Sequence, residues 1–255
     1  QYAILQLTFP RLVRKRGESW LRHMGRLEDA QTSGRKTAPR YNVVHRVLNA
    51  ANYGVPQTRE RVFIVGLRSD LELNWHFPEP THSFDALIAT QWVTGEYWDR
   101  HRMPRPRTLP PYASRRLQTI QRSTQHLEPW TTIRDAVCDL PQPQSDIDIT
   151  GGMNHILQPG ARTYVGHTGS PIDLPSKTLK AGDHGVPGGE NMILMLDGSV
   201  RYLTIREASR VQTFPDTWSL AGAWSEAMRQ LGNAVPVKLA SAVATSIAKT
   251  LKSKT

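Results

Sequence analysis

Apolar residues recur along the chain in two distinct spacings. Ile4, Leu5, Leu12 and Val13, then Trp20, Leu21, Met24 and Leu27, fall at helical intervals broken at Pro10 and Gly17, which predicts short helices with basic residues on their outer faces. Val62 to Val65 is instead an unbroken apolar run closed by Gly66, and predicts a strand buried on both faces, as in an interior parallel sheet. Between them QTSGRKTAPR reads as a flexible linker and YNVVHRVLNAANYGVP as a strand or short helix running into a turn. TTIRDAVCDLP, Thr131 to Pro141, predicts a short capped helix stopped by proline, with Cys138 a buried structural thiol among apolar neighbours. Asp197-Gly198 between two apolar runs predicts a hairpin with a type I′ turn. Thr204 with Glu207 forms a capping box for a helix that Pro215 ends. The last helix gathers Ala240, Val243, Ala244, Ile247 and Leu251 on one face, and Lys249, Lys252 and Lys254 suit its C-terminal dipole end.

Polar residues interrupt this pattern in three places. In YGVPQTRERVFIVG, Tyr53 to Gly66, Gln57, Arg59 and Arg61 are spaced two apart, so an extended chain points all three one way and Thr58 and Glu60 the other. That reads either as a solvated strand entry or as two guanidiniums and an amide converging at a strand end. Arg100 to Arg122 carries seven arginines and no Asp or Glu, and Pro104, Pro106, Pro110 and Pro111 break any continuous helix. The arginines are expected on an extended exposed loop, a basic linker or a polyanion contact. Pro175 to Asn191, PSKTLKAGDHGVPGGEN, reads as a loop close to a ligand backbone, or simply as structural turns.

Composition narrows the partners. A formal charge of +10 over 255 residues, with a pI near 10.0, points to nucleic acid before any specific contact forms. No apolar run approaches the ~20 residues of a membrane span, no signal-peptide layout opens the chain, and a cytoplasmic protein is expected. With one cysteine there is no CxxC-type zinc site, and the nine histidines contain no HExxH, so no metal is expected. Neither a Walker loop nor a G-x-G-x-x-G turn is present. The 18 Pro and 18 Gly imply much irregular connection, and two lobes are expected rather than one. The chain starts with Gln1 and not methionine, as a piece cut from something longer would.

Three separated stretches resemble one family. YGVPQTRERVFIVG resembles the Gln-x-Arg-x-Arg block of the DNA cytosine-5 methyltransferases, RYLTIREASRVQTFPDTW their arginine-glutamate helix block, and QLGNAVPVKLASAVATSI their last, Gly-Asn block, in the same order. The resemblance implies an α/β fold: part of a Rossmann-like methyltransferase sheet plus a loop-rich, mainly β target-recognition domain. It divides the chain into a catalytic-domain part at 1–77, the recognition domain at 78–195, and a return to the junction and last helix at 196–255. It implies S-adenosylmethionine as cofactor, double-stranded DNA as partner, methylation of C5 of a flipped cytosine, and a restriction-modification setting.

Carried over residue by residue, Arg61 would touch the flipped base or its surroundings, with Arg59 and Gln57 bracing phosphate or a neighbouring acid. The charge of the arginine-rich run, and not the resemblance, puts Arg102, Arg105 and Arg107 on phosphates. Arg162, Lys177, Thr178, Lys180 and His184 would read bases, Thr178-Leu179 resembling the family's Thr-Leu landmark. Asn233, Ala234 and Val235 would lie beside the cofactor's amino-acid end; a plain helix entry with Asn233 as N-cap is the other reading. The Pro-Cys nucleophile turn, the Glu-Asn-Val block and the glycine-rich donor loop of the family are not found in this sequence, and Cys138 is not taken as the nucleophile. The expectation is therefore a C-terminal portion that needs a missing N-terminal catalytic portion, in the same chain or a separate subunit. The rival reading is a non-catalytic specificity protein; an RNA-binding protein is a weaker third, lacking the alternating aromatic-basic strand of an RRM.

Overall fold

The computed structural model describes residues 1–33, 39–118, 120, 127–145, 147–148, 150–152, 154–181 and 191–253. Contacts divide the chain into two compact units: one of Gln1–Leu48, Arg61–Phe77 and Thr245–Thr255, the other of Asn49–Glu60 and Pro78–Ala244. This division follows other lines than the boundaries at 78 and 195. Residues 49–60 and the chain from 196 to 244 both fold with the middle of the sequence.

In the first unit, α1 (Tyr2–Thr8) stops before Pro10, and Ser19 caps α2 (Trp20–Thr32) by accepting from the Arg22 N–H at 3.3 Å. Leu5, Phe9 and Leu27 are buried between the two helices. His23 is fully buried, and its ring nitrogens lie 2.7 Å from the Tyr2 hydroxyl and 2.6 Å from the Leu12 carbonyl. β1 (Tyr41–Asn49) and β2 (Glu60–Arg68) form a two-stranded sheet. The Ser69 N–H bonds to the Arg40 carbonyl while Gly66 lies against Val43, so the strands run antiparallel.

The strand expected to be buried on both faces is not. Exposed and half-buried positions alternate along β2, leaving Val62 61% and Ile64 45% exposed. The run is apolar, but in a two-stranded ribbon the period of two decides which side chains are covered. Beyond β2, Trp75 packs edge-on against Phe77, and its indole N–H donates to Ser246 Oγ at 2.9 Å.

The second unit begins with a 3₁₀ turn, Ala50–Tyr53, ended by Gly54 at φ +74, where a Cβ would stand 2.7 Å from the His82 ring. There follow β3 (His82–Ser83), α3 (Phe84–Ile88), a π-helical stretch Ala89–Thr94, α4 (Glu96–Arg100), α5 (Pro111–Leu117), β4 (Glu128–Pro129) and α6 (Ile133–Val137). Then come β5 (Ser170–Pro171), β6 (Met192–Leu194), β7 (Val200–Tyr202), α7 (Ile205–Val211), α8 (Trp224–Asn233) and α9 (Val237–Lys252), whose residues from Thr245 on count with the first unit. β3 pairs with β4 in parallel, and a second sheet has the order β5-β6-β7 with an antiparallel β6-β7 hairpin.

The middle of the chain departs from the mainly β domain expected. Among the described residues of 78–195, the strands are two or three residues long and the helical stretches five to seven. Phe84, Leu87, Ile88 and Trp92 lie at helical spacing, and their cluster with Tyr97, Trp98 and Ala113 is what folds this region as helix. Proline and arginine dominate the local composition and mask that signal.

Several local expectations hold, others shift. Thr204 and Glu207 form the capping box of α7, and Thr132 with Asp135 forms another at α6. Cys138, however, is exposed at the C-terminal end of α6, because Ile133 and Val137 take the buried face of this five-residue helix. The hairpin after β6 is present, but not as a type I′ turn. Gly198 N–H bonds to the Met195 carbonyl, Met195 and Ser199 pair, and only Gly198 has positive φ, the pattern of a type I turn closed by a left-handed glycine. In α9 the buried residues are Leu239 and Val243, whereas Ala244 and Leu251 are exposed. Trp224–Lys252 is long and apolar enough by composition to cross a membrane, yet Ala234–Pro236 divide it into two separate helices.

Thr204 carries a double duty, since its hydroxyl caps α7 and also lies 2.9 Å from buried His155 Nδ1. Thr204→Ala is expected to cost about 2 kcal/mol, and Thr204→Ser to restore most of it, as read by urea unfolding.

Candidate functional site

Pro56 sets an extended backbone, and residues 56–59 run parallel to the segment after Leu174. Thr58 N–H donates to the Ser176 carbonyl at 2.8 Å, Ser176 N–H to the Pro56 carbonyl at 2.9 Å, and Thr178 Oγ1 to the Thr58 carbonyl at 2.9 Å. This pairing directs Gln57 and Arg59 to the same side, as their spacing predicts. There the structure corrects the sequence reading. Neither side chain faces solvent: Gln57 is fully buried and Arg59 is 1% exposed.

The Arg59 guanidinium donates to the Leu179 carbonyl at 3.1 Å and to the Gly232 carbonyl at 2.6 Å, and Gln57 Oε1 accepts from the Leu179 N–H at 3.4 Å. Gly232 belongs to the last turn of α8, whose carbonyls have no intrahelical partner and carry the negative end of the helix dipole. The buried guanidinium thus donates to two oriented backbone oxygens, one of them at the end of a helix. The neighbouring carbonyls are taken as well: Gln230 by Ala234 N–H, and Leu231 by both Ala234 N–H and Gln212 Nε2. α8 also packs closely here, a Cβ on Gly232 falling 2.4 Å from Ala181 N and 2.6 Å from the Lys180 carbonyl carbon.

Around this junction the chain turns polar side chains outward. Lys177 and Lys180 are exposed and Thr178 half-buried, while Leu179 between them is buried. Buried Asn191 bonds Lys180 through both backbone groups, its Oδ1 3.3 Å from the N–H and its Nδ2 3.5 Å from the carbonyl. Asn233 is exposed as the last residue of α8, not as the cap of the following helix, and Val235 is exposed after it. The Ala234 N–H is already engaged as the α8 cap, so the backbone there offers a carbonyl and not a donor.

Arg61 is the second residue of β2, partly exposed, in the first unit. Arg102 and Arg107 stand exposed on a stretch that is neither helix nor strand, Arg102 at φ +54. Arg105 is tethered, its guanidinium 5.5 Å over the Trp92 ring and bonded to the Trp92 carbonyl. Two further arginines of this run are paired with acids, Arg100 with Asp135 and Arg116 with Asp85. Arg162 is exposed, and His184 and Arg122 lie outside the described residues.

Sequence reasoning missed the polar network behind these surfaces. Asp173 is buried and accepts from the Tyr97 hydroxyl at 2.8 Å and from Arg134 at 2.5 and 3.1 Å, while its own carbonyl accepts from Gln91 at 2.6 Å. Burial pushes the Tyr97 phenol well above its ordinary range, and the carboxylate adds to it. Arg206 and Glu207 of the arginine-glutamate block are equally buried: Glu207 caps α7 and pairs with Arg201 at 2.6 Å, and Arg206 reaches the Trp218 carbonyl at 3.2 Å. An aspartate between Ile172 and Leu174 gives no periodic signal of such a role. Among the described residues, no group of three His, Cys, Asp or Glu side chains could hold a metal ion.

The family model for C-5 cytosine-specific DNA methylases matches residues 35–249. The chain is 32% identical over 221 residues to the Type II methyltransferase M.BspRI of Lysinibacillus sphaericus, covering 82% of this chain and 44% of that protein. It is 29% identical over 240 residues to the Type II methyltransferase M.MthTI of Methanothermobacter thermautotrophicus, covering 83% and 58%. Among solved structures, the Dnmt2 methyltransferase of S. pombe aligns at 18% identity with a TM-score of 0.43, over 92% of this chain and 62% of that one. The chain spans about half the length of the curated relatives it matches.

Proposed function

The chain belongs to the C-5 cytosine-specific DNA methylase family, and from that premise we propose that it supplies the DNA-reading and cofactor-side parts of an enzyme that methylates C5 of cytosine in duplex DNA. The observation that carries this reading is the junction in the second unit. Gln57 and Arg59, the Thr178-Leu179 landmark and Gly232 come from three stretches far apart in sequence, and one buried guanidinium ties them together. Gln57 and Arg59 thus act as positioning residues rather than phosphate contacts. They fix the extended segment bearing Lys177, Thr178 and Lys180 against the turn bearing Asn233 and Val235.

S-adenosylmethionine, when bound, supplies the methyl group. The exposed Asn233 amide fits its amino-acid end, able both to donate and to accept, with the Ala234 carbonyl and the Val235 side chain beside it. Arg61 holds the anionic surroundings of the extruded base. Arg102, Arg105 and Arg107 contact phosphates, Thr178 and Lys180 reach the groove, and Arg162 and Lys177 bind the duplex at its edge. The thiolate that attacks C6 is not assigned to Cys138, which follows Val137 and not a proline and ends α6 at the surface. It belongs instead to an N-terminal catalytic portion, in the same chain or a separate subunit, acting with DNA in the cytoplasm and within a restriction-modification system.

The test is transfer of labelled methyl from S-adenosylmethionine to cytosine-containing duplexes by the complete protein, with the product position read by bisulfite sequencing. Labelled 5-methylcytosine is expected, and Arg61→Ala should lower its formation about tenfold or more. A protein that selects one duplex but transfers no methyl would be a specificity protein instead.

A further inference from the structure

Residues Tyr164–His167 form a tight turn that the proposed function leaves unused. Tyr164 and His167 pair through both backbone groups, at 3.3 Å and 2.8 Å, and Gly166 at φ +83 closes the turn between them. The two rings stack across it with centroids 4.3 Å apart and planes inclined by 31°. Val165 at the tip is 101% exposed, so a β-branched side chain is held out in water on a braced support.

The surroundings indicate what would cover it. Over residues 154–181 the exposed charges are Arg162, Lys177 and Lys180, and the single acid, Asp173, is buried in the network with Arg134 and Tyr97. Lys177 Nζ lies 3.5 Å from Thr168 Oγ1, which brings an ammonium to the foot of the turn. An apolar tip with an ammonium at its foot and exposed Arg162 two residues before Tyr164 fits a partner with an anionic outside and an apolar inside. Duplex DNA has that arrangement, with phosphates along the backbone and thymine methyls and base faces within the grooves.

We propose that the Tyr164–His167 turn enters a groove of the target duplex and that Val165 contacts its bases, with Arg162 and Lys177 on the flanking phosphates. The inference rests on the duplex-DNA reading above and adds a residue that sets sequence preference. An apolar side chain gains nothing from phosphate, so its contribution falls on base discrimination, whereas the cations bind every sequence alike.

The experiment selects duplexes from a randomised library with the complete protein, then measures binding of the selected and of random duplexes over a range of salt. Val165→Ser, a change at a fully exposed position, is expected to leave thermal unfolding and the salt slope unchanged while lowering the preference for the selected duplex about tenfold. Arg162→Ala with Lys177→Ala should weaken both duplexes alike and flatten the slope. Val165→Ser with an unchanged preference, or with equal losses on both duplexes, would overturn the inference. If the wild-type protein enriches no sequence at all, the duplex-DNA reading itself fails, and this inference with it.

Discussion

Asp173→Ala is expected to destabilise the second unit by about 4 kcal/mol, because it strips the partner from a half-buried cation. Arg134 is held by both Asp173 oxygens, and the Tyr97 hydroxyl donates to one of them. Removal leaves a half-buried guanidinium and a buried phenol with one acceptor fewer, while the backbone bond from Gln91 to the Asp173 carbonyl survives. Asp173→Asn keeps the shape and one acceptor oxygen, and should recover part of the loss. Arg134→Met in the Asp173→Ala background should recover more, since no buried charge then stands unpaired. Urea unfolding of the four proteins measures this. A loss below about 1 kcal/mol for Asp173→Ala would mean that the network is open to water.

Gly232→Ala comes next in size. In an ordinary helix interior the exchange gains about 1 kcal/mol of propensity. Here the new methyl would meet Ala181 N at 2.4 Å, the Lys180 carbonyl carbon at 2.6 Å and Ala181 Cα at 2.9 Å. All three are backbone atoms, which cannot swing aside as a side chain can, so α8 or the 180–181 segment must shift. The shift moves the Gly232 carbonyl away from Arg59 and weakens the 2.6 Å bond of a buried cation. A net cost of about 3 kcal/mol is expected, with faster amide exchange at Leu179 as its local signature. An alanine variant as stable as the parent would show that the segments can separate at little cost.

The sequence made the elements with chemical punctuation legible. Proline and glycine marked the break between α1 and α2, and the Thr204 and Glu207 pair marked the start of α7, because these residues act within a few positions of themselves. What it hid depends on partners brought together from far along the chain. Arg59 and Arg61 read alike by spacing, but pairing with residues 176–179 buries Arg59, while Arg61 falls in the sheet with β1. Val62 and Ile64 look like core residues by composition, and only the number of strands beside them decides their exposure. Likewise nothing local distinguishes Asp173 from a surface aspartate.

The bond between Arg59 and Gly232 joins residues 173 positions apart in sequence, and this has a consequence for how the protein is made. At the 5–20 residues per second of chain synthesis, roughly ten to thirty-five seconds separate the appearance of the guanidinium from that of its helix-end acceptor. Only late in that interval, once residues 176–179 have been made, can they pair with 56–59, and the cation between them still lacks its shorter bond. Closure of so long a loop adds an entropic cost before any contact offsets it. The second unit is therefore expected to set late and in one step, after α8 has left the ribosome, and a nascent chain halted before residue 232 should be far more open to protease than the finished one.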